Sequence, residues 1–515
     1  MIERAEIRVE AMQSEGVANP REETFCPVSR RRYVLVSAIL ASSMGFIDGS
    51  VLSIAIPALR ADLGASLADA QWVSNSYMLF LGALILIGGA AGDRFGLRRV
   101  FGFGIALFTA ASIACALSPN AGLLILARAV QGVGAAFMVP GSLAIIAKAY
   151  PKEERGKAIG LWAAASSLTT ILGPIIGGLV LTVFGDWSWR LVFAINLPLG
   201  AVALALLWLR VPADPPAGGR SLDVIGAILA SLGLMLIAFG LTGGGDEGTP
   251  SVSHILTFAG SGVVIFTGFL FWEARAKGPM LPLRLFANRG FSGANALTLT
   301  LYFALSAVSF FLPMTMIAGW GVSPAEVSLA FLPLGVALTL LSSWAGGLAD
   351  RFGPAPLIAA GAVLVGLAFA GLGFTAPLQN VWGAVLPLVC LMGIGMGLVV
   401  SPLSTAVMTS VEDADTGIAS GVNNAVARVA ALLAVATMGF VAAVAFGRFM
   451  GGAGGPGIAF GLVPPAPLDA GAESARQAAT DSTFAVIAYI NAALCLVSAA
   501  IAWTTLETKS GRQAG

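Results

Sequence analysis

Charge is scarce in this sequence. Only 11% of its 515 residues are Asp, Glu, Lys or Arg, less than half the roughly 25% of an ordinary soluble protein. So few charges cannot cover a water-facing surface, which excludes a soluble enzyme. One histidine and four cysteines are too few for a zinc cluster or a disulfide scaffold. Cys115, Cys390 and Cys495 lie in apolar stretches and Cys26 in a polar tail. A net charge of +1 excludes a basic nucleic-acid binder. The P-loop pattern G-x-x-x-x-G-K-[ST] is missing, so nucleotide hydrolysis is not expected to power the protein. No cofactor and no metal is expected, and an ion gradient or the substrate's own gradient is left as the energy source.

What is present is apolar. Hydrophobic residues make up 57% of the chain, mean hydropathy is +0.88, and 64 glycines suit close contacts between membrane helices. A helix needs about 20 apolar residues to cross a bilayer core of about 30 Å. Fourteen stretches qualify: 33–59, 72–92, 100–117, 123–147, 158–184 and 191–209; then 224–241 and 255–272; then 291–317, 327–348, 357–374, 381–408, 418–446 and 484–504. Gly and Pro interruptions without β-alternation point to helices rather than a barrel. The fold class expected is an all-α polytopic membrane protein, with helices grouped as six, two and six. The divisions are a tail at 1–32, a bundle at 33–211, a linker with two extra spans at 212–290, a second bundle at 291–506 with a long outer loop at 447–482, and a tail at 507–515. The first 32 residues carry no secretory signal and are expected to be a disordered cytoplasmic tail.

Basic residues orient the chain. With both termini cytoplasmic, only Arg60, Arg190, Arg448 and Arg476 of the 28 fall in outer segments, and Arg128 and Arg428 fall inside spans. Trp72, Trp187, Trp189, Trp320 and Trp382 stand at expected outer ends, where an aromatic belt belongs.

The two six-span sets share landmarks. Gly89-Ala-Ala-Gly-Asp93-Arg94-Phe-Gly96 reappears as Gly346-Gly-Leu-Ala-Asp350-Arg351-Phe-Gly353. Gly132 and Gly134 are matched by Gly393 and Gly395, and Gly156 and Gly160 by Gly417 and Gly421. The pairs keep nearly the same separation, as a parallel duplication requires. The inserted pair of spans follows the linker Pro212-Ala-Asp-Pro-Pro-Ala-Gly-Gly.

Of the 27 acidic residues, Asp48 alone lies deep in an expected span. A carboxylate at that depth must be paired or face water. Burial disfavours the charged form of such a group and a nearby cation favours it, so a change of surroundings can load and unload a proton. At 1.5 Å per residue, Asp48 lies about 22 Å from the inner end of its span. Arg128 lies about 8 Å from the outer end of its own, the same level in a core of about 30 Å. The two are expected to meet, with a static ion pair as the alternative. Ser420, Asn424 and Arg428 share a helix face, and Arg428 is about 15 Å into its span. It is expected to bond carbonyls or to bind an anionic group.

These stretches resemble the major facilitator superfamily, and specifically its fourteen-span drug:proton antiporter family, from Arg31 to Leu506. That resemblance implies two pseudo-symmetric bundles rocking about a central cavity. It makes Gly89, Asp93, Arg94, Gly96, Arg98 and Arg99 a cytoplasmic gate, with Asp93 placed to cap the third helix. Leu97 stands where the family often has Arg. Asp350, Arg351 and Gly353 are a second gate copy that has lost its basic tail to Pro354-Ala-Pro. Ile47-Asp48-Gly-Ser50-Val-Leu-Ser53 resembles the family's first-helix motif, with Ser53 in place of Asn. Arg128-Ala-Val-Gln131-Gly132 resembles its fourth-helix motif; together they give Asp48 and Arg128 the proton-coupling role. Gly160, Gly173, Pro174, Gly177 and Gly178 resemble the helix motif of antiporters, with Thr169 replacing one Gly. Trp187-Ser-Trp189-Arg190-Leu-Val-Phe193-Ala-Ile-Asn196-Leu-Pro198 resembles a signature of the fourteen-span branch, taken as structural, with Arg190 beside Asp186. Tyr77, Gln131, Asn424 and Arg428 are candidates for the substrate cavity.

The expected activity is proton-coupled export of amphipathic, aromatic or cationic small molecules across a bacterial inner membrane. Partners are protons, the substrate and the lipid bilayer. A monomer is expected, and periplasmic or outer-membrane efflux partners stay open. An exporter dedicated to one metabolite, such as an antibiotic, lipid or siderophore, is the alternative. An uptake symporter or a non-transporting receptor fits less well, and no buried acid in the tenth span supports divalent-cation handling.

Overall fold

A computed structural model describes residues 24–506 apart from 217, 219–221, 244–249, 413–414, 452–457 and 465. Most of the tail at 1–32 and all of the tail at 507–515 lie outside the described residues. Among the described residues, fourteen helices are long and apolar enough to cross a membrane. They are α1 (Val28–Leu63), α2 (Leu67–Phe95), α3 (Leu97–Ala116), α4 (Ala121–Ala149), α5 (Lys152–Phe184), α6 (Asp186–Arg210), α7 (Val224–Thr242), α8 (Val252–Glu273), α9 (Arg289–Gly319), α10 (Pro324–Phe352), α11 (Pro354–Leu378), α12 (Val381–Thr409), α13 (Thr416–Phe449) and α14 (Ala470–Thr505).

The helices outrun the apolar stretches that mark them, because polar residues cap and extend their ends. α1 begins at Val28, so residues 28–32 are helical rather than tail. The loop expected at 447–482 is shorter than that: Asp469 caps α14 by accepting from Ala472 N, and an Ala-rich turn follows. Such residues favour a helix without being apolar enough to read as a span.

The duplication is visible in local chemistry. α2 and α10 both open on a reciprocal capping box, Ser66 with Asp69 and Ser323 with Glu326. Both end on a glycine at positive φ, Gly96 at 95° and Gly353 at 85°, a turn that a side chain would strain. Gly132 lets α4 approach the Tyr77 backbone of α2, as Gly393 lets α12 approach the Pro333–Leu334 backbone of α10. Gly134 meets Gly104 of α3, as Gly395 meets Gly361 of α11. These close backbone contacts replace the hydrophobic drive that lipid cannot supply.

The halves meet chiefly where α2 packs on α13 and α5 on α10, each pair the counterpart of the other under the repeat, with smaller contacts of α1 against α9 and α10. The inserted hairpin α7–α8 rests on the first: Leu234 and Ala238 of α7 pack with Leu79 of α2 and with Leu432 and Ala436 of α13. Around the outside, large exposed side chains such as Leu256, Val263, Val264 and Phe271 on α8 are apolar, as a lipid-facing surface requires.

Thr24 and Leu506 end the described chain on what we call the terminal face; the opposite face is the distal face. The halves meet tightly at the distal face. There Gly178 of α5 lies against Ser328 and the Pro324 carbonyl of α10, Ala325 N donates to Thr182 Oγ1 (3.0 Å), and Gly439 of α13 leaves space that Gln71 of α2 fills. Toward the terminal face, Gly89, Gly156, Gly160, Gly347 and Gly417 have no neighbouring group against the position of a side chain. Close contacts between α5 and α10 and between α2 and α13 are thus made at their distal ends.

Candidate functional site

Five helices of the first bundle converge on Asp48, which is 1% exposed at the centre of α1. Its Oδ2 accepts from Arg128 Nη1 of α4 at 2.6 Å, and its Oδ1 accepts from Gln131 Nε2 at 3.0 Å. Arg128 also donates from Nε to the Val73 carbonyl of α2 (2.9 Å) and from Nη1 to Gln131 Oε1 (2.7 Å). Its guanidinium lies over the rings of Tyr77 (4.3 Å) and Phe193 (5.6 Å). Gln131 Nε2 donates to Ser112 Oγ of α3 (2.9 Å), which Asn196 Nδ2 of α6 also reaches (3.2 Å). A buried ion pair persists when its remaining donors and acceptors are satisfied, and here backbone, amide and hydroxyl partners do so. Arg128 and Gln131 lie three residues apart on one helix face, so a single turn of α4 delivers both.

This geometry sorts the residues named from sequence. Asp48 and Arg128 meet. Tyr77 and Gln131 do not face an open cavity: both are buried, and they complete the ion-pair cage. Ser112 was not anticipated, because a hydroxyl on an apolar helix carries no pattern. Asn196, in a stretch expected to be structural, belongs to the outer ring of the network. Asn424 is exposed on α13, with its Nδ2 on the Ser420 carbonyl (3.1 Å), and Arg428 is partly exposed. Arg428 lies where α13 packs on α2, its Cβ against Gly82.

At the terminal face, the expectation for Asp93 fails. Asp93, Arg94 and Arg99 are exposed. The residue that caps α3 is Asp214 of the linker, whose carboxylate accepts from Leu97 N and Arg98 N (both 2.9 Å) and pairs with Lys148 Nζ (2.8 Å). Burial opposes the charge of Asp214, but Lys148 and the two amides outweigh it and hold the carboxyl below its usual range. A capping residue that arrives from 117 positions away has no local signature. Arg98 donates to the Leu207 and Trp208 carbonyls (3.2 and 2.8 Å) and stacks on Trp208. The loop is thus tied to its own bundle. Gly96 takes its expected turn, and Arg351 is exposed.

On α5, Gly173 lies against Ile47 and Ser50, and Gly177 against Val51, all of α1; Gly178 faces α10 of the other half. Pro174 sits inside the helix, whereas Gly160, nearer the terminal face, has no neighbouring group against it. Thr169, in the place of a glycine, is 3.1 Å from Ser43 Oγ. Two further expectations are corrected near the distal face. Arg190 pairs with Asp62 rather than Asp186, and Trp189 is fully buried, donating to Asp62 Oδ2 (3.0 Å), so it is no interfacial anchor.

A duplicated bundle of membrane-length helices built around a buried ion pair has the architecture of a membrane carrier. Residues 38–435 and 294–514 match the profile described as Major Facilitator Superfamily, and the chain belongs to that family. It is 34% identical to a Mycobacterium tuberculosis protein named multidrug resistance protein B homolog, over 72% of this chain and 68% of that one. It is 32% identical to the probable actinorhodin transporter of Streptomyces coelicolor, over 80% and 73%. Its fold is similar to that of a bacterial homolog of the human lysosomal transporter Spinster, solved in an inward-facing and occupied conformation. That match has TM-score 0.67 and 16% identity, and covers 93% of this chain and 97% of that one. The protein is a multi-pass transporter of the drug-exporter kind, and its fourteen helices accord with the fourteen-span branch.

Proposed function

We propose that the protein is a proton-coupled antiporter that exports amphipathic small molecules by alternating access. The observation that carries this reading is the fully buried Asp48–Arg128 pair, with Gln131 as its third member. A carboxylate at mid-span is costly unless it has work to do there. When Asp48 takes a proton, its attraction for Arg128 falls, the α1–α4 contact loosens, and α1 can shift against α5 along Gly173 and Gly177. Loss of the proton restores the pair. No cofactor enters; the proton gradient supplies the energy.

The terminal face is the cytoplasmic one in this reading, and the tight distal contacts of Gly178 support an inward-facing conformation. The bilayer is the bacterial cytoplasmic membrane, and the carrier acts as a monomer. The name of the tuberculosis relative supports a multidrug substrate range. The name of the Streptomyces relative supports the second reading, an exporter dedicated to one metabolite.

The test is transport into inside-out vesicles with a panel of amphipathic compounds, for wild type and Asp48→Asn. Wild type should accumulate substrate when the vesicle interior is acid, and the variant should not. Full proton-driven transport by the variant would remove Asp48 from coupling. A panel in which a single compound is moved would select the dedicated exporter.

A further inference from the structure

Arg428 remains outside this account. It sits near the middle of α13, and its Nε is buried without a hydrogen-bond partner. Among the described residues no carboxylate lies within ion-pair distance of it; the bridges formed there involve Arg31, Arg128, Lys148, Arg190, Arg284 and Arg476. The other mid-span charges, Asp48 and Arg128, neutralise each other. A guanidinium stays charged at any accessible pH, and in a bilayer such a charge must find a partner or water.

Its surroundings are shaped to keep it in place and reachable. Gly82 of α2 lets the Arg428 stem lie flat, since a Cβ there would stand 3.0 Å from Arg428 Cβ. Asn424, one turn toward the terminal face, is exposed. Mid-span in α13 there is thus one partly exposed positive charge without a counter-ion, one turn from an exposed amide.

We propose that Arg428 is the substrate-binding cation of the central cavity, and that the transported molecule is an amphipathic anion bearing a carboxylate or a similar oxyanion. The planar fork of Arg428 takes such a group by charge-assisted hydrogen bonds. This deepens the transport reading, on which it rests, and replaces the expectation of a cationic substrate: Arg428 repels a cation and no acid at that depth attracts one.

Three compounds with one aromatic body and different charge test it: 2-naphthoate, its methyl ester and 2-naphthylmethylammonium. They are titrated calorimetrically into the full chain in nanodiscs, with empty discs subtracted. Wild type should bind naphthoate about ten- to a hundredfold more tightly than the other two. Arg428→Gln should erase that preference, and Arg428→Lys should keep most of it. The proposal is overturned by ammonium or ester binding as tightly as naphthoate, by the absence of saturable naphthoate binding, or by a preference that survives in Arg428→Gln. The wild-type comparison stands even if a variant does not fold. Failure of the coupling reading shows separately, as full proton-driven transport by Asp48→Asn alongside an intact naphthoate preference.

Discussion

Arg128 Nη1 stands 2.6 Å from Asp48 Oδ2, with both side chains sealed from solvent. Removing either partner alone strands a charge or empties a cage, whereas removing both does neither. Arg128→Gln should cost about 3–5 kcal/mol of folding stability, the usual penalty for an orphaned buried charge. The double variant Asp48→Asn/Arg128→Gln should be less destabilised than the single one. Thermal unfolding of both single variants and the double in detergent measures this, and a double loss equal to the sum of the two single losses would mean that the pair is not energetically coupled.

Gly178 fixes the distal junction. Any Cβ there collides with Ser328 Oγ and the Pro324 carbonyl, so Gly178→Val should wedge α5 from α10 and favour the distal-open state. Spin labels on exposed positions of α5 and α10 would report the change as a longer distance at the distal face. An unaltered distance distribution would count against this junction as the distal gate.

Asp214 predicts a pH dependence. Its folded-state pKa is lowered, so its contribution to stability is present above the unfolded carboxylate value of about 3.9. That contribution is lost as pH falls through the lower folded value. Asp214→Asn should therefore melt earlier than wild type at neutral pH, by about 1–3 kcal/mol, and the gap should close in acid below about pH 4. A gap that persists at low pH would contradict the assignment of Asp214 as the charged cap of α3.

Arg60 holds the distal segment of the second half. It donates to the Phe460 carbonyl at 2.8 Å from the far end of α1, and to the Ala65 carbonyl at 3.2 Å. The segment 458–464 lines a distal cleft of about 890 Å³ beside Gln71 and Gly439. Arg60→Gln should raise protease cleavage in that segment severalfold, read by limited digestion in nanodiscs. Unchanged cleavage would show that the loop is held by other contacts.

Much of this molecule could be read from the chain. Fourteen apolar runs gave fourteen helices, because a bilayer admits few other solutions to backbone hydrogen bonding. The repeated glycine turns at Gly96 and Gly353 are local conformational demands, and the shared depth of Asp48 and Arg128 follows from helical rise. What sequence alone determined was therefore whatever depends on one helix at a time: span count, tight turns and which charges lie deep. Tertiary structure decided which groups meet across helices. It sent Gln131 and Tyr77 to the ion pair instead of the cavity, gave the α3 cap to Asp214 instead of Asp93, turned Arg190 toward Asp62, and left Arg428 without a counter-ion. Rotation about each helix axis and the packing of non-neighbouring segments fix those pairings, and helical periodicity in a uniformly apolar span encodes neither.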